Sequence, residues 1–301
     1  MAAVAERFAE LDGRFLALAL VLQLAVLALR ALAWRGVLVA AYPEKRIPVV
    51  GVGCAYAAGV AVNAFVPARG GEAAKVALVR SQLPGSSVAT IASSLSVVLA
   101  LDMLLGAALM TTLWSLGRAP AFPSPPSVDT LPLVVGVVVV VAVTAGLLAV
   151  ARITETVRRF LVAAARGFSV LRSPWRYAFT VLPFQLSAWA CRIAVVYLVL
   201  HAFRFDAGIG TAVVLVVFTG VSTAVPVPGG AGTQQVLAVY ALQGVASTAG
   251  AISFSVGMQL GVTAMNTAVG LLATMLMFGT MRPLRTVKAA KAPSASEPHS
   301  I

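Results

Sequence analysis

Apolar residues run along this chain in stretches of helix length. They occupy Phe15–Ala33, Pro48–Val66, Val88–Leu116, Leu131–Val150, Tyr177–Leu200, Gly208–Val225 and Ser247–Gly279, with a shorter piece at Gln234–Ala246. A hydrocarbon core of ~30 Å takes about 20 apolar residues per helix. The pattern therefore predicts an all-α polytopic transmembrane bundle of six to eight spans, some of them partial. Three regions follow: a polar N-terminal segment 1–14, a single transmembrane domain 15–281, and a basic tail 282–301. The tail has no apolar face and reads as disordered.

Composition sharpens this picture. Hydrophobic residues make up 60% of the 301 residues and charged residues only 11%, with a mean hydropathy of +0.96. A water-soluble domain carries about a quarter charged residues, so most of this surface meets something other than water. Lys and Arg number 22 against 10 Asp and Glu. In a soluble chain that excess would suggest a nucleic-acid partner; here the basic residues sit between apolar runs, the mark of membrane orientation, and no nucleic acid is expected. Cys54 and Cys191 lie inside apolar stretches as small packing residues. Glu6, Glu10 and Asp12 outweigh Arg7 and Arg14, so the start lacks the basic n-region of a signal peptide and Phe15–Ala33 reads as a retained span.

Charge also orients the loops. Arg152–Arg176 holds six Arg against Glu155, and the tail holds Arg282, Arg285, Lys288 and Lys291 against Glu297. The positive-inside rule places both in the cytoplasm, with Gly117–Thr130 and His201–Ala207 outside. The Trp34–Ile47 loop is also basic. If it and the loop before Val88 are both inside, Pro48–Val66 must enter and turn back; if it crosses, parity flips. The side of the N-terminus is open at this point.

An internal echo carries the most information. Val66-Pro67-Ala68-Arg69-Gly70-Gly71 is matched by Val225-Pro226-Val227-Pro228-Gly229-Gly230. Each follows an apolar run and precedes a short helical stretch and a long span. Pro and Gly break helices, and paired interruptions in corresponding halves point to a transport site; two interfacial turns are the plainer alternative. Arg69, Glu72 and Lys75 cluster after the first break, with Glu72 and Lys75 neighbours on a helix face. Charges at membrane depth are costly and mark function.

The string from Asn63 to Lys75 closely resembles the signature of the lysylphosphatidylglycerol synthase transmembrane-region family, also described as flippase-like. The second signature resembles Pro228-Gly229-Gly230-Ala231-Gly232-Thr233-Gln234-Gln235, and Asp102 matches a family Asp. The resemblance covers roughly Phe15–Gly279. It implies two Pro-Gly-broken or re-entrant helices in an internal repeat. Together with the buried charge, these residues make a candidate headgroup-binding set of Asn63, Arg69, Glu72, Lys75, Asp102 and Arg192, and the second broken-helix motif holds Pro226, Pro228, Gly229, Gly230, Gly232, Gln235 and Gln259. There are departures. Ala68 replaces a Gly, Gln235 replaces a Glu, and Gln259 stands near a frequent Arg. If those two positions pair in relatives, the Gln substitutions leave a neutral hydrogen-bonded pair. The chain ends shortly after its last apolar run, so the resemblance implies the membrane region without the soluble synthase domain.

Arg192 lies deep in Tyr177–Leu200, a run with no acidic residue, and is expected to pair across helices with Asp102 or Glu72. Its guanidinium also suits a lipid phosphate. Ser222, Thr223, Thr233, Gln234, Asn266 and Thr267 are ordinary back-bonding residues or cavity lining, and Gly257 and Gly261 suit helix packing. No hydrolase, zinc or phosphate-loop motif appears, so no catalytic residue, metal or cofactor is expected and the chain is not read as an enzyme. Two functions remain. One is a translocator of a phospholipid or polyprenyl-phosphate-linked glycolipid in the cell membrane. The other is a non-transporting membrane partner of an envelope glycosyltransferase or lipid-modifying enzyme.

Overall fold

The computed structural model describes residues 12–66, 70–117, 174–222 and 232–279. The expected span Leu131–Val150, most of the basic loop after it, the polar start and the tail lie outside these residues. Among the described residues the elements are α1 (Gly13–Ala41), α2 (Val49–Phe65), α3 (Gly70–Gln82), α4 (Val88–Ser115), α5 (Pro174–Thr180), α6 (Leu182–Ala202), α7 (Ile209–Ser222), α8 (Thr233–Ala241) and α9 (Thr248–Phe278). All are helical. Four of them, α1, α4, α6 and α9, are long and apolar enough to cross a membrane.

Local chemistry sets the ends. Asp12 caps α1 by accepting from the Arg14 N–H at 3.0 Å, and the Ser247 hydroxyl caps α9 by accepting from Gly250 at 3.1 Å. Pro183 lies in the first turn of α6, where its missing N–H costs nothing but prevents continuation from α5. The run expected to start as one span at Tyr177 is therefore two helices. The segment Trp34–Ala41, expected as loop, instead continues α1. Its Arg35 stays on the helix because its Nε donates to the Ile47 carbonyl at 3.0 Å.

Links at the two ends reveal the topology. Lys45 Nζ donates to the Pro84 carbonyl at 2.7 Å, and Ser87 N–H donates to the Tyr42 hydroxyl at 3.0 Å. The links before α2 and after α3 therefore share one end of the bundle, here called the base. The α2–α3 pair enters from the base and turns back, which decides the question that charge alone left open. At the other end, the top, Asp12 N–H reaches the Ala202 carbonyl at 3.2 Å. Phe203 and Phe205 pack on Phe254 with ring centres 5.7 and 6.2 Å apart. The links before α7 and after α8 thus gather at the top. The second short pair enters from the side opposite to the first.

Packing is the reverse of a soluble core. Gln23, Lys75 and Gln185 are buried while Leu18, Val21, Leu24, Met103, Leu104, Leu260 and Leu276 are exposed, as expected when the outer solvent is hydrocarbon. Small residues let the first hairpin close. A Cβ on Gly71 would collide with the Gly59 carbonyl and the Asn63 side chain, and one on Gly270 with Ala61 and the Ala57 backbone. Gly261, read as a packing glycine, meets nothing within 4 Å; the close α2–α9 contact is made by Gly270 instead. Gly71→Ala should destabilise the protein by about 1–3 kcal/mol, because backbone atoms must move. Gly261→Ala should cost nothing. Thermal unfolding of both variants in detergent checks this, and equal melting temperatures would contradict the close approach.

Candidate functional site

The first break places its polar residues by backbone geometry. As α2 ends, Asn63 Oδ1 accepts from the Gly71 N–H at 2.8 Å, while its Nδ2 donates to Glu72 Oε1 at 3.0 Å. Asn63 thereby closes the turn and satisfies one of the four free N–H groups that begin α3. Glu72 accepts from Lys75 Nζ at 2.9 and 3.1 Å through its two oxygens. Lys75 is only 4% exposed and lies 4.2 Å from the centre of the Tyr56 ring. An ammonium so far from water depends on both the carboxylate and the aromatic face. Arg69 lies outside the described residues.

Beside it stands a second charged group. Arg30 on α1 pairs with Asp102 Oδ2 on α4 at 2.8 Å, and Trp189 Nε1 on α6 donates to Asp102 Oδ1 at 2.9 Å. Both carboxylate oxygens are engaged, and three helices are tied at one depth. Tyr56 lies within electrostatic range of Arg30, so it stands between the two groups. Below them, Gln185 accepts from the Tyr177 hydroxyl at 2.7 Å and donates to the Val98 carbonyl at 3.3 Å.

Arg192 corrects an expectation. Neither Asp102 nor Glu72 takes it: the first belongs to Arg30 and Trp189, the second to Lys75 and Asn63. Among the described residues Arg192 makes no hydrogen bond or ion pair, although Arg30, Asp102 and Tyr56 lie within its electrostatic range. Arg30 is the charged partner that the sequence does not single out. It sits inside the apolar run Phe15–Ala33, opposite a carboxylate that is alone in its own span, and that pairing was the available signal.

At ~1.5 Å per helical residue, Arg30, Glu72, Asp102 and Arg192 all lie roughly 15–21 Å from the base. They form a layer near the middle of the bundle. Among the described residues no three of His, Cys, Asp and Glu gather to hold a metal.

A family model for the lysylphosphatidylglycerol synthase transmembrane region matches residues 1–270. The chain belongs to that family. No curated protein and no solved structure shows a significant match.

The second family motif is neutral here. Pro226, Pro228, Gly229 and Gly230 lie outside the described residues. Gly232 opens α8 with φ +83°, a backbone state that suits glycine. Its N–H donates to Gln235 Oε1 at 2.6 Å, and Gln235 Nε2 donates to Gln259 Oε1 at 2.8 Å. One amide thus holds the start of α8 and joins it to α9. Away from the breaks, Asn266 accepts from Gln23 at 3.2 Å. Several of the described Ser and Thr hydroxyls bond the backbone of the preceding turn, as Thr219 does with Leu215 at 2.7 Å, whereas the buried Thr267 hydroxyl has no hydrogen-bond partner among the described residues.

Gln235→Glu keeps the acceptor for Gly232 but places an uncompensated charge between α8 and α9, so it should lower the melting temperature. Adding Gln259→Arg should restore most of the loss. Equal stability of the single and double variants would show that the two positions do not act as a pair.

Proposed function

We propose that the chain moves a lipid with an anionic headgroup, a phospholipid or a polyprenyl-phosphate-linked glycolipid, between the leaflets of the cell membrane. Its C-terminus would lie in the cytoplasm. The observation that carries this reading is the mid-bundle layer of ionised side chains: Arg30, Glu72, Asp102 and Arg192, with Lys75 held against Glu72. A headgroup crossing hydrocarbon must exchange its hydration for protein groups, and this layer offers cations where water is absent. A non-transporting partner of an envelope enzyme has no use for five charges at that depth.

The two short helix pairs add a path. They enter from opposite ends, the arrangement in which one repeat can open toward either side around a central site. Family membership makes the chain an integral membrane protein; lipid movement is the further step. The sequence holds no phosphate-binding loop for ATP, so movement would run downhill or couple to an ion.

Reconstitution tests this. Vesicles containing the protein should expose a fluorescent anionic phospholipid of the inner leaflet to an external quencher faster than protein-free vesicles. Glu72→Gln should slow the exchange about tenfold, equivalent to ~1.4 kcal/mol on the barrier, while eluting as a folded monodisperse protein. Rates equal to protein-free vesicles for the wild type, across phospholipid and polyprenyl-phosphate probes, would sink the proposal and favour the partner role.

A further inference from the structure

We infer that Arg192 is the anion-binding residue of the mid-bundle layer, and that its ligand is a singly charged phosphodiester on a lipid whose headgroup carries no cation. The inference deepens the lipid-translocation reading and rests on it for the ligand being a lipid.

Charge supplies the first argument. Among the described residues of the layer, three cations (Arg30, Lys75, Arg192) face two carboxylates (Glu72, Asp102), which leaves one positive charge. Both carboxylates are fully committed: Asp102 to Arg30 and Trp189, Glu72 to Lys75 and Asn63. The chain has only ten acidic residues. Of the other eight, Asp12 caps α1, Glu44 and Asp206 lie in links, and none falls within an apolar run of the sequence. Among the described residues no carboxylate is left to neutralise Arg192, and an uncompensated guanidinium in hydrocarbon is costly.

Position supplies the second. Gln185, Trp189, Val196 and Val199 stand seven and three residues before Arg192, and four and seven after it, on one face of α6. All four are 8% exposed or less. Arg192 faces the bundle interior with them, yet it is only half-buried. Of these five positions on the inner face of α6, Arg192 is the one left partly exposed.

Ligand class follows from the chemistry. A guanidinium presents two parallel N–H groups to the two free oxygens of a phosphodiester. One negative charge neutralises the described residues of the layer. A diphosphate would overshoot, and a headgroup ammonium would bring back the positive charge that the phosphate removes.

The test is binding to the purified full-length chain in neutral detergent, read by thermal shift and native mass spectrometry. Without lipid, Arg192→Gln should melt above the wild type, because an unpaired buried cation is removed. Phosphatidylglycerol should stabilise the wild type, and Arg192→Gln should bind it at least about tenfold more weakly, the size of a lost charge-assisted bidentate contact. Arg192→Lys should fall between them. Phosphatidylethanolamine, a polyprenyl diphosphate and water-soluble glycerophosphoglycerol should each bind weakly to both proteins. Undiminished phosphatidylglycerol binding by Arg192→Gln overturns the site. Equal binding of the diphosphate or the zwitterionic lipid overturns the ligand class, and equal binding of the soluble diester overturns the lipid source. Binding as described in a protein that moves no lipid would uphold the site and remove only the transport reading.

Discussion

Arg30 lies more than halfway along a helix that runs through hydrocarbon, where an ionised guanidinium finds no water. Its bond to Asp102 at 2.8 Å, and the bond from Trp189 to the other carboxylate oxygen at 2.9 Å, answer that constraint by joining α1, α4 and α6. Much else depends on it. The polar faces turn inward, leaving Leu and Val on the outside. The first hairpin must approach closely enough to bring Glu72 and Lys75 to the same depth. Only glycines at 59 and 71 allow that approach, and Asn63 then spans the turn.

The two halves solve the same topological problem with different chemistry. Each has a long helix, two short helices around a Pro-Gly break, and a second long helix. The first pair enters from the base and carries ionised residues; the second enters from the top and carries the Gln235–Gln259 amide pair. A neutral pair holds α8 to α9 without adding to the charge balance, so among the described residues of the layer the excess positive charge stays at Arg192.

Much of this was legible in the sequence. Apolar run length marked the four long helices but not the shortness of α2 and α7, and the Pro-Gly echo at Val66–Gly71 and Val225–Gly230 marked the breaks. The spacing of Glu72 and Lys75 foretold their pairing. Other features were out of reach for physical reasons. Whether α2 crosses or returns depends on contacts between distant links, such as Lys45 with Pro84, which no local pattern encodes. The split at Val181 and the extension of α1 to Ala41 follow from Pro183 and from the Arg35 bond to Ile47, where tertiary contacts override hydropathy. The sequence points Arg192 to Asp102 or Glu72, because these are the buried charges of opposite sign. The nearer competitor, Arg30, was hidden within an apolar run.

The central claim is that the Arg30–Asp102 pair is the compensated charge on which the bundle is built. A double-mutant cycle measures it most directly. Arg30→Met and Asp102→Leu should each strongly destabilise the protein in detergent, since each strands the other's charge, by about 3–5 kcal/mol. The double variant should recover much of that loss, giving a coupling of about 2 kcal/mol or more. Additive losses in the double variant would contradict the account.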